Sequence, residues 1–222
     1  MTLPRLPSDY PAYARAERVA DGVIHALGVT FAVTGAVLLI VFAAIYGTPG
    51  GTIAAVAVYA GALIATFTAS AVYHMTPWDA ARPVLRRIDH AAIYLKIAGT
   101  YTPLVLLIGT GFAYVVLGLV WVLAIAGAVA KLFFWSSPGR LGPWLYLVLG
   151  WLSVALVWPL VQTLPPVATA LVVAGGLLYS AGVIFFSWEN LKYSNAIWHG
   201  FVLAASACFF AAITLGVLMP VA

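Results

Sequence analysis

Three short strings carry side chains able to hold a metal ion or move a proton: SAVYH (Ser70 to His74), RRIDH (Arg86 to His90) and NAIWH (Asn195 to His199). His74 ends one long apolar run, Asp89 opens the next, and His199 opens the last. Imidazole nitrogens and carboxylate oxygens are ligands that zinc accepts, and the same groups act as general acids and bases. Ser70 precedes His74 by four residues, so on a helix it shares that face, about 6 Å away along the axis. Whether these groups meet depends on the elements that carry them.

Those elements are membrane spans. Of 222 residues 64% are hydrophobic and 7% charged, and the mean hydropathy is +1.08. A soluble domain carries about a quarter charged residues, so the chain reads as an all-α integral membrane protein. Runs near the length of about 20 residues needed to cross a bilayer fall at Ile24 to Tyr46, Thr52 to Tyr73, Ala91 to Ile108, Phe112 to Phe134, Pro143 to Val161, Val167 to Ser187 and Ala196 to Met219. Turn residues separate them: Gly47 to Gly51, Pro77, Gly109 to Gly111, and Pro165-Pro166. The Gly109 to Gly111 break is so short that its flanking spans should form a tight hairpin. Residues 1–23 read as a cytoplasmic amphipathic arm, and 24–222 as one seven-helix domain. The single cysteine, Cys208, excludes a disulfide framework and a CxxC metal site.

Charge gives an orientation. Arg5, Arg15 and Arg18 precede the first span; Arg82, Arg86 and Arg87 separate the second and third; Lys131 and Arg140 surround the fourth-to-fifth loop; Lys192 precedes the seventh. By the positive-inside rule the N-terminus is cytoplasmic and the C-terminus outside. The net charge of +4 follows from this topology and from anionic lipid, with no nucleic-acid partner implied. His74, Asp89 and His199 then lie at one depth near the cytoplasmic side, joined by His25. Groups at that depth usually face a bundle interior or a wet cavity. His25 and His90 are accessory candidates whose ordinary reading is interfacial hydrogen bonding. Lys96, seven residues beyond Asp89, is an accessory candidate for structural pairing or for holding a lipid head group. Trp78, Trp188 and Trp198 fit an interfacial belt, and Gly118, Gly127, Gly175 and Gly176 fit close helix packing.

SAVYH, then IDHAAIYLKIAGTYTPL (Ile88 to Leu104), AIWHGFVLAASA (Ala196 to Ala207) and the opening ERVADGVIHALG (Glu17 to Gly28) resemble the hemolysin III branch of the superfamily of adiponectin and progestin receptors (PAQR). The resemblance spans essentially the whole chain in order. It implies seven helices with a cytoplasmic N-terminus, and a zinc site. In the receptor members three histidines bind zinc, one ending helix two and two on helix seven at HxxxH spacing, with an aspartate opening helix three near the zinc's water and a serine on helix two. Position by position, Ser70, His74, Asp89 and His199 match. Asn195 stands where the other helix-seven histidine belongs, with Ser194 before it. A set of His74, His199 and Asp89 would replace the missing ligand, with Asn195 a supporting or degraded position.

The resemblance implies a zinc-dependent hydrolase of a lipid amide or ester, ceramidase-like, in membrane lipid homeostasis. Asp89 would handle protons and Ser70 would stabilise the oxyanion. The partners implied are membrane lipids, and the location is a bacterial inner membrane. Two other classes stand beside it: a non-enzymatic membrane-state sensor, and a pore-forming cytolysin. No span carries the polar stripe that would line an aqueous pore.

Overall fold

The computed structural model describes residues 13–134, 141–188 and 190–219. Arg5, most of the N-terminal arm, and Arg140 lie outside these residues. Among the described residues eight α-helices follow one another: α1 (Arg15–Ile45), α2 (Gly50–Met75), α3 (Arg82–Ile108), α4 (Gly111–Phe133), α5 (Leu141–Trp151), α6 (Val157–Thr163), α7 (Pro166–Phe186) and α8 (Ser194–Leu218). A 3-10 segment at Leu152–Leu156 joins α5 to α6, and the stretch Trp144–Thr163 forms one span. The described residues thus hold seven helices long and apolar enough to cross a membrane, as expected from the sequence.

The turn chemistry works as read. Gly109 adopts φ 68° and its N–H closes α3 on the Val105 carbonyl at 2.9 Å. The left-handed conformation costs glycine little, which makes it the ordinary end of a helix. Thr110 then caps α4, its hydroxyl accepting from the Ala113 N–H at 3.3 Å. Gly47 turns the chain likewise after α1, with φ 69°.

The bundle is arranged around α3, whose apolar window is 61% buried against 17 to 39% for the other six spans. α3 lies between α2 and α4, α1 packs against α2 and α8, and α7 packs against α8. Small residues bring these helices together at particular points. A Cβ on Gly127 of α4 would come within 2.5 Å of the Tyr94 ring of α3, and one on Gly175 of α7 within 2.7 Å of the Phe209 ring of α8. Gly118 and Gly176, expected to pack closely as well, have open space beside them. They sit on the same helices but face away from the neighbour.

Two features fix the ends that carry the polar residues. Arg82 donates to the Thr76 carbonyl at 2.7 Å and to the Tyr73 carbonyl at 3.5 Å, and pairs with Asp79 at 3.1 Å. It thereby satisfies carbonyls left free at the end of α2 and pins the link to α3. Glu17 of α1 accepts from the Tyr193 N–H at 2.9 Å, just ahead of α8. Tyr193 has φ 63°, a conformation uncommon outside glycine, and this hydrogen bond helps to hold it.

Candidate metal centre

Three helices each supply a pair of polar residues four positions apart: Asp21 and His25 on α1, Ser70 and His74 on α2, Asn195 and His199 on α8. The i, i+4 spacing stacks each pair on one helix face. α1 and α8 enter from the end rich in Arg and Lys while α2 leaves towards it, so the six side chains form two layers. Asp21, His74 and Asn195 make the layer nearer that end; His25, Ser70 and His199 lie one turn deeper. Asp21, His25, His74 and His199 are all buried.

In the deeper layer two imidazole contacts converge on Ser70. Its Oγ is 3.2 Å from His25 Nε2 and 3.5 Å from His199 Nε2. His25 Nδ1 donates to the Asp21 backbone carbonyl at 2.8 Å, and a carbonyl can only accept. His199 Nδ1 lies 2.8 Å from Asp21 Oδ1, so there too the ring proton belongs on Nδ1. Both Nε2 atoms therefore present lone pairs to the same space. In the upper layer the Asn195 amide donates to Asp21 Oδ2 at 2.8 Å and to His74 Nδ1 at 3.1 Å, and His74 Nδ1 is 3.6 Å from Asp21 Oδ2.

This donor set fits a metal ion. His25, His74 and His199 each carry a ring nitrogen within 4.8 Å of the others; His74, whose Nδ1 accepts from the Asn195 amide, would release that contact to ligate. The single Ser70 proton cannot satisfy two imidazole lone pairs at once, and a cation would meet that need. Ligating histidines characteristically donate their second ring N–H to a carboxylate or carbonyl, which is the arrangement at His25 and His199.

The sequence-predicted residues divide accordingly. Ser70, His74 and His199 come together as expected, and His25, read there as an accessory, is one of the three clustered histidines. Asp89 is buried beside them, with its carboxylate interacting with the Ser70 hydroxyl and in the field of His199, Arg86 and Asp21; it lies outside the three-histidine group. Asn195 occupies a supporting position, whereas Ser194 begins α8, its N–H bonded to the Leu191 carbonyl at 3.0 Å. His90 stands apart from the three-histidine group; its carbonyl accepts from Tyr146 at 3.2 Å. Lys96 forms a separate tie deeper in the bundle, donating to Tyr179 of α7 at 2.5 Å and Ser206 of α8 at 2.6 Å. The Phe67 and Tyr179 rings each lie 5.0 Å from its ammonium, a favourable arrangement for a buried cation.

Asp21 was the residue missed. Its four-residue spacing to His25 was visible, but placing the first span at Ile24 left Asp21 in a surface arm; α1 in fact begins at Arg15.

The chain matches the family model described as "Haemolysin-III related" over residues 13–210. It belongs to the haemolysin III family. Over 196 residues it is 38% identical to the "Hemolysin-3 homolog" of Bacillus subtilis, covering 87% of this chain and 91% of the relative. "Hemolysin-3" of Bacillus cereus is 35% identical over 195 residues, covering 87% and 89%. The human "Monocyte to macrophage differentiation factor" is 29% identical over 167 residues, 70% of this chain and 67% of that protein. This haemolysin III family member is thus a multi-pass membrane protein with a histidine and aspartate cluster that could hold a metal ion.

Proposed function

We propose that this protein is a zinc-dependent hydrolase of lipid amides or esters, working at the cytoplasmic side of a bacterial inner membrane. The observation that carries the reading is the convergence of the His25 and His199 Nε2 lone pairs, with both Nδ1 protons held by Asp21. His25, His74 and His199 would hold the zinc, which when bound supplies Lewis-acid polarisation of an acyl carbonyl and an acidified water. Asp21 orients the imidazoles without ligating, and Asn195 holds Asp21 in turn. In this arrangement His25 restores the ligand count that Asn195 lowers, and Asp89 stays free for proton transfer.

Asp89 accepts a proton from the attacking water and delivers it to the leaving amine or alkoxide. The Ser70 hydroxyl, between Asp89 and the histidines, donates a hydrogen bond to the developing oxyanion. A cavity of about 10 Å³ bordered by Asp21, His74, Asn195 and Glu17 leaves room for about one water, supplying the reaction from the basic end.

The experiment is product release from a panel of ceramide and phospholipid substrates, followed by mass spectrometry on purified protein. Turnover should be abolished by a chelator, restored by zinc, and reduced at least about 100-fold in Asp89→Asn, within the range a positioned general base contributes. Turnover unaffected by the chelator, or undiminished in Asp89→Asn, would reject the mechanism. A zinc-loaded protein with no turnover on any substrate would favour a sensing role.

A further inference from the structure

The cavity of about 10 Å³ between the histidine cluster and the basic end is walled by Glu17 and Asp21 of α1, His74 and Met75 of α2, and Tyr193 and Asn195 where α8 begins. It has room for about one water, so a hydrated metal ion passes only if a wall gives way. Two walls are fixed. α1 and α2 are in close contact there, and a Cβ on Gly22 would come within 3.3 Å of Met75 Sδ. The end of α2 is also pinned by Arg82 through the Tyr73 and Thr76 carbonyls. The third wall, the start of α8, is held differently.

Tyr193 stands at the N-cap position of α8, yet its side chain caps nothing and its φ is 63°. A left-handed conformation persists in a non-glycine residue only where the surroundings impose it. Glu17 supplies that restraint. Its Oε1 accepts from the Tyr193 N–H at 2.9 Å, while its Oε2 accepts from the Ala14 N–H at 2.9 Å, which braces the carboxylate at the start of α1. Glu17, Asp21 and His25 are spaced by four and form one row on α1. Each member of the row reaches α8 in turn: Glu17 at Tyr193, Asp21 at Asn195 and His199, and His25 with its ring 4.3 Å from that of His199. The two deeper steps belong to the cluster itself. The outermost step is half-buried and serves only backbone N–H groups, so it is the one for which water can compete.

We infer that the Glu17 to Tyr193 contact is a latch, which holds the start of α8 over the cavity and sets how fast metal and water pass between the basic end and the histidine cluster. Opening it breaks the Glu17 contact and lets Tyr193 return to an ordinary backbone conformation, which widens the cavity beside His74. Both Glu17 oxygens serve backbone groups and neither serves a histidine, so loss of the carboxylate changes the rate of exchange and leaves the affinity as it was. The inference rests on the metal reading of the cluster; access to His74 can be measured without metal.

The test uses the full-length protein in detergent, wild type beside Glu17→Ala and Glu17→Gln. Zinc release into excess chromophoric chelator and zinc uptake by metal-stripped protein are followed by stopped flow, and affinity by chelator competition at equilibrium. In a second arm, metal-stripped protein is treated with diethyl pyrocarbonate, and modification is mapped at His74 and at His90, which lies apart from the cavity. In Glu17→Ala, release and uptake should both quicken at least about tenfold, the effect of losing one hydrogen bond to a charged acceptor, with affinity unchanged. His74 should be modified faster by the same factor, and His90 at the wild-type rate. Glu17→Gln, whose amide oxygen can still accept from Tyr193, should lie between. Faster release without faster uptake, which is a loss of affinity, would make Glu17 a structural support and overturn the latch. Slower uptake in both variants would mean that Glu17 draws the cation by charge, and equal acceleration at His90 would mean general loosening; either overturns it. If wild type binds no zinc, the metal reading falls, and the His74 rate alone decides whether the latch guards the cavity.

Discussion

Asp21 organises more of the site than any other side chain: both its oxygens and its backbone carbonyl are engaged, by His199, Asn195 and His25. A carboxylate in that position fixes the orientation of the imidazoles it touches. Asp21→Asn keeps the shape but removes the charge, and it sets an amide against the Asn195 amide. Zinc affinity measured by competition with a chromophoric chelator should fall by about 10- to 100-fold. Unchanged affinity would mean that Asp21 is a structural tie with no influence on the histidines. Lys96 illustrates the opposite case, a buried cation whose hydroxyl and aromatic partners join α2, α3, α7 and α8 with no metal involved.

At the scale of helices, the sequence conveyed type and number well and faces less well. Long apolar runs punctuated by Gly and Pro specify spans because few other structures satisfy the backbone in a membrane. The Gly109 break and the seven spans followed from that constraint. Which side of a helix meets its neighbour did not follow, because nearly every position is apolar and no polar face gives the period away. Gly127 and Gly118 look equivalent in sequence, yet only the first abuts a ring, at 2.5 Å. Gly127→Ala should therefore destabilise the protein by about 1–3 kcal/mol through overpacking against Tyr94, while Gly118→Ala should be close to neutral. Thermal unfolding in detergent checks both; equal effects would contradict the observed α3–α4 packing.

For the molecule as a whole, the site is legible only when helices distant in sequence are assembled. Ser70, His74 and His199 were recognisable from the polar character of span ends. His25 was legible only as an accessory at that depth, and Asp21 required knowing that α1 extends to Arg15 and packs against α2 and α8, since an isolated Asp near a first span equally describes a wet interface. The departure at Asn195 read as a lost ligand; in three dimensions it becomes a hydrogen-bond donor that holds Asp21 while His25 enters from another helix. One cluster of three histidines from three helices is the central claim, and metal content tests it directly. Full-length protein purified in detergent, with wild type beside His25→Ala, His74→Ala and Asn195→Ala, is assayed by elemental mass spectrometry. The account predicts about one zinc per chain in wild type, its loss in both histidine variants, and weakened but detectable retention in Asn195→Ala, which removes a supporting group and not a ligand. Wild type without metal, or His25→Ala retaining a full complement, would contradict it.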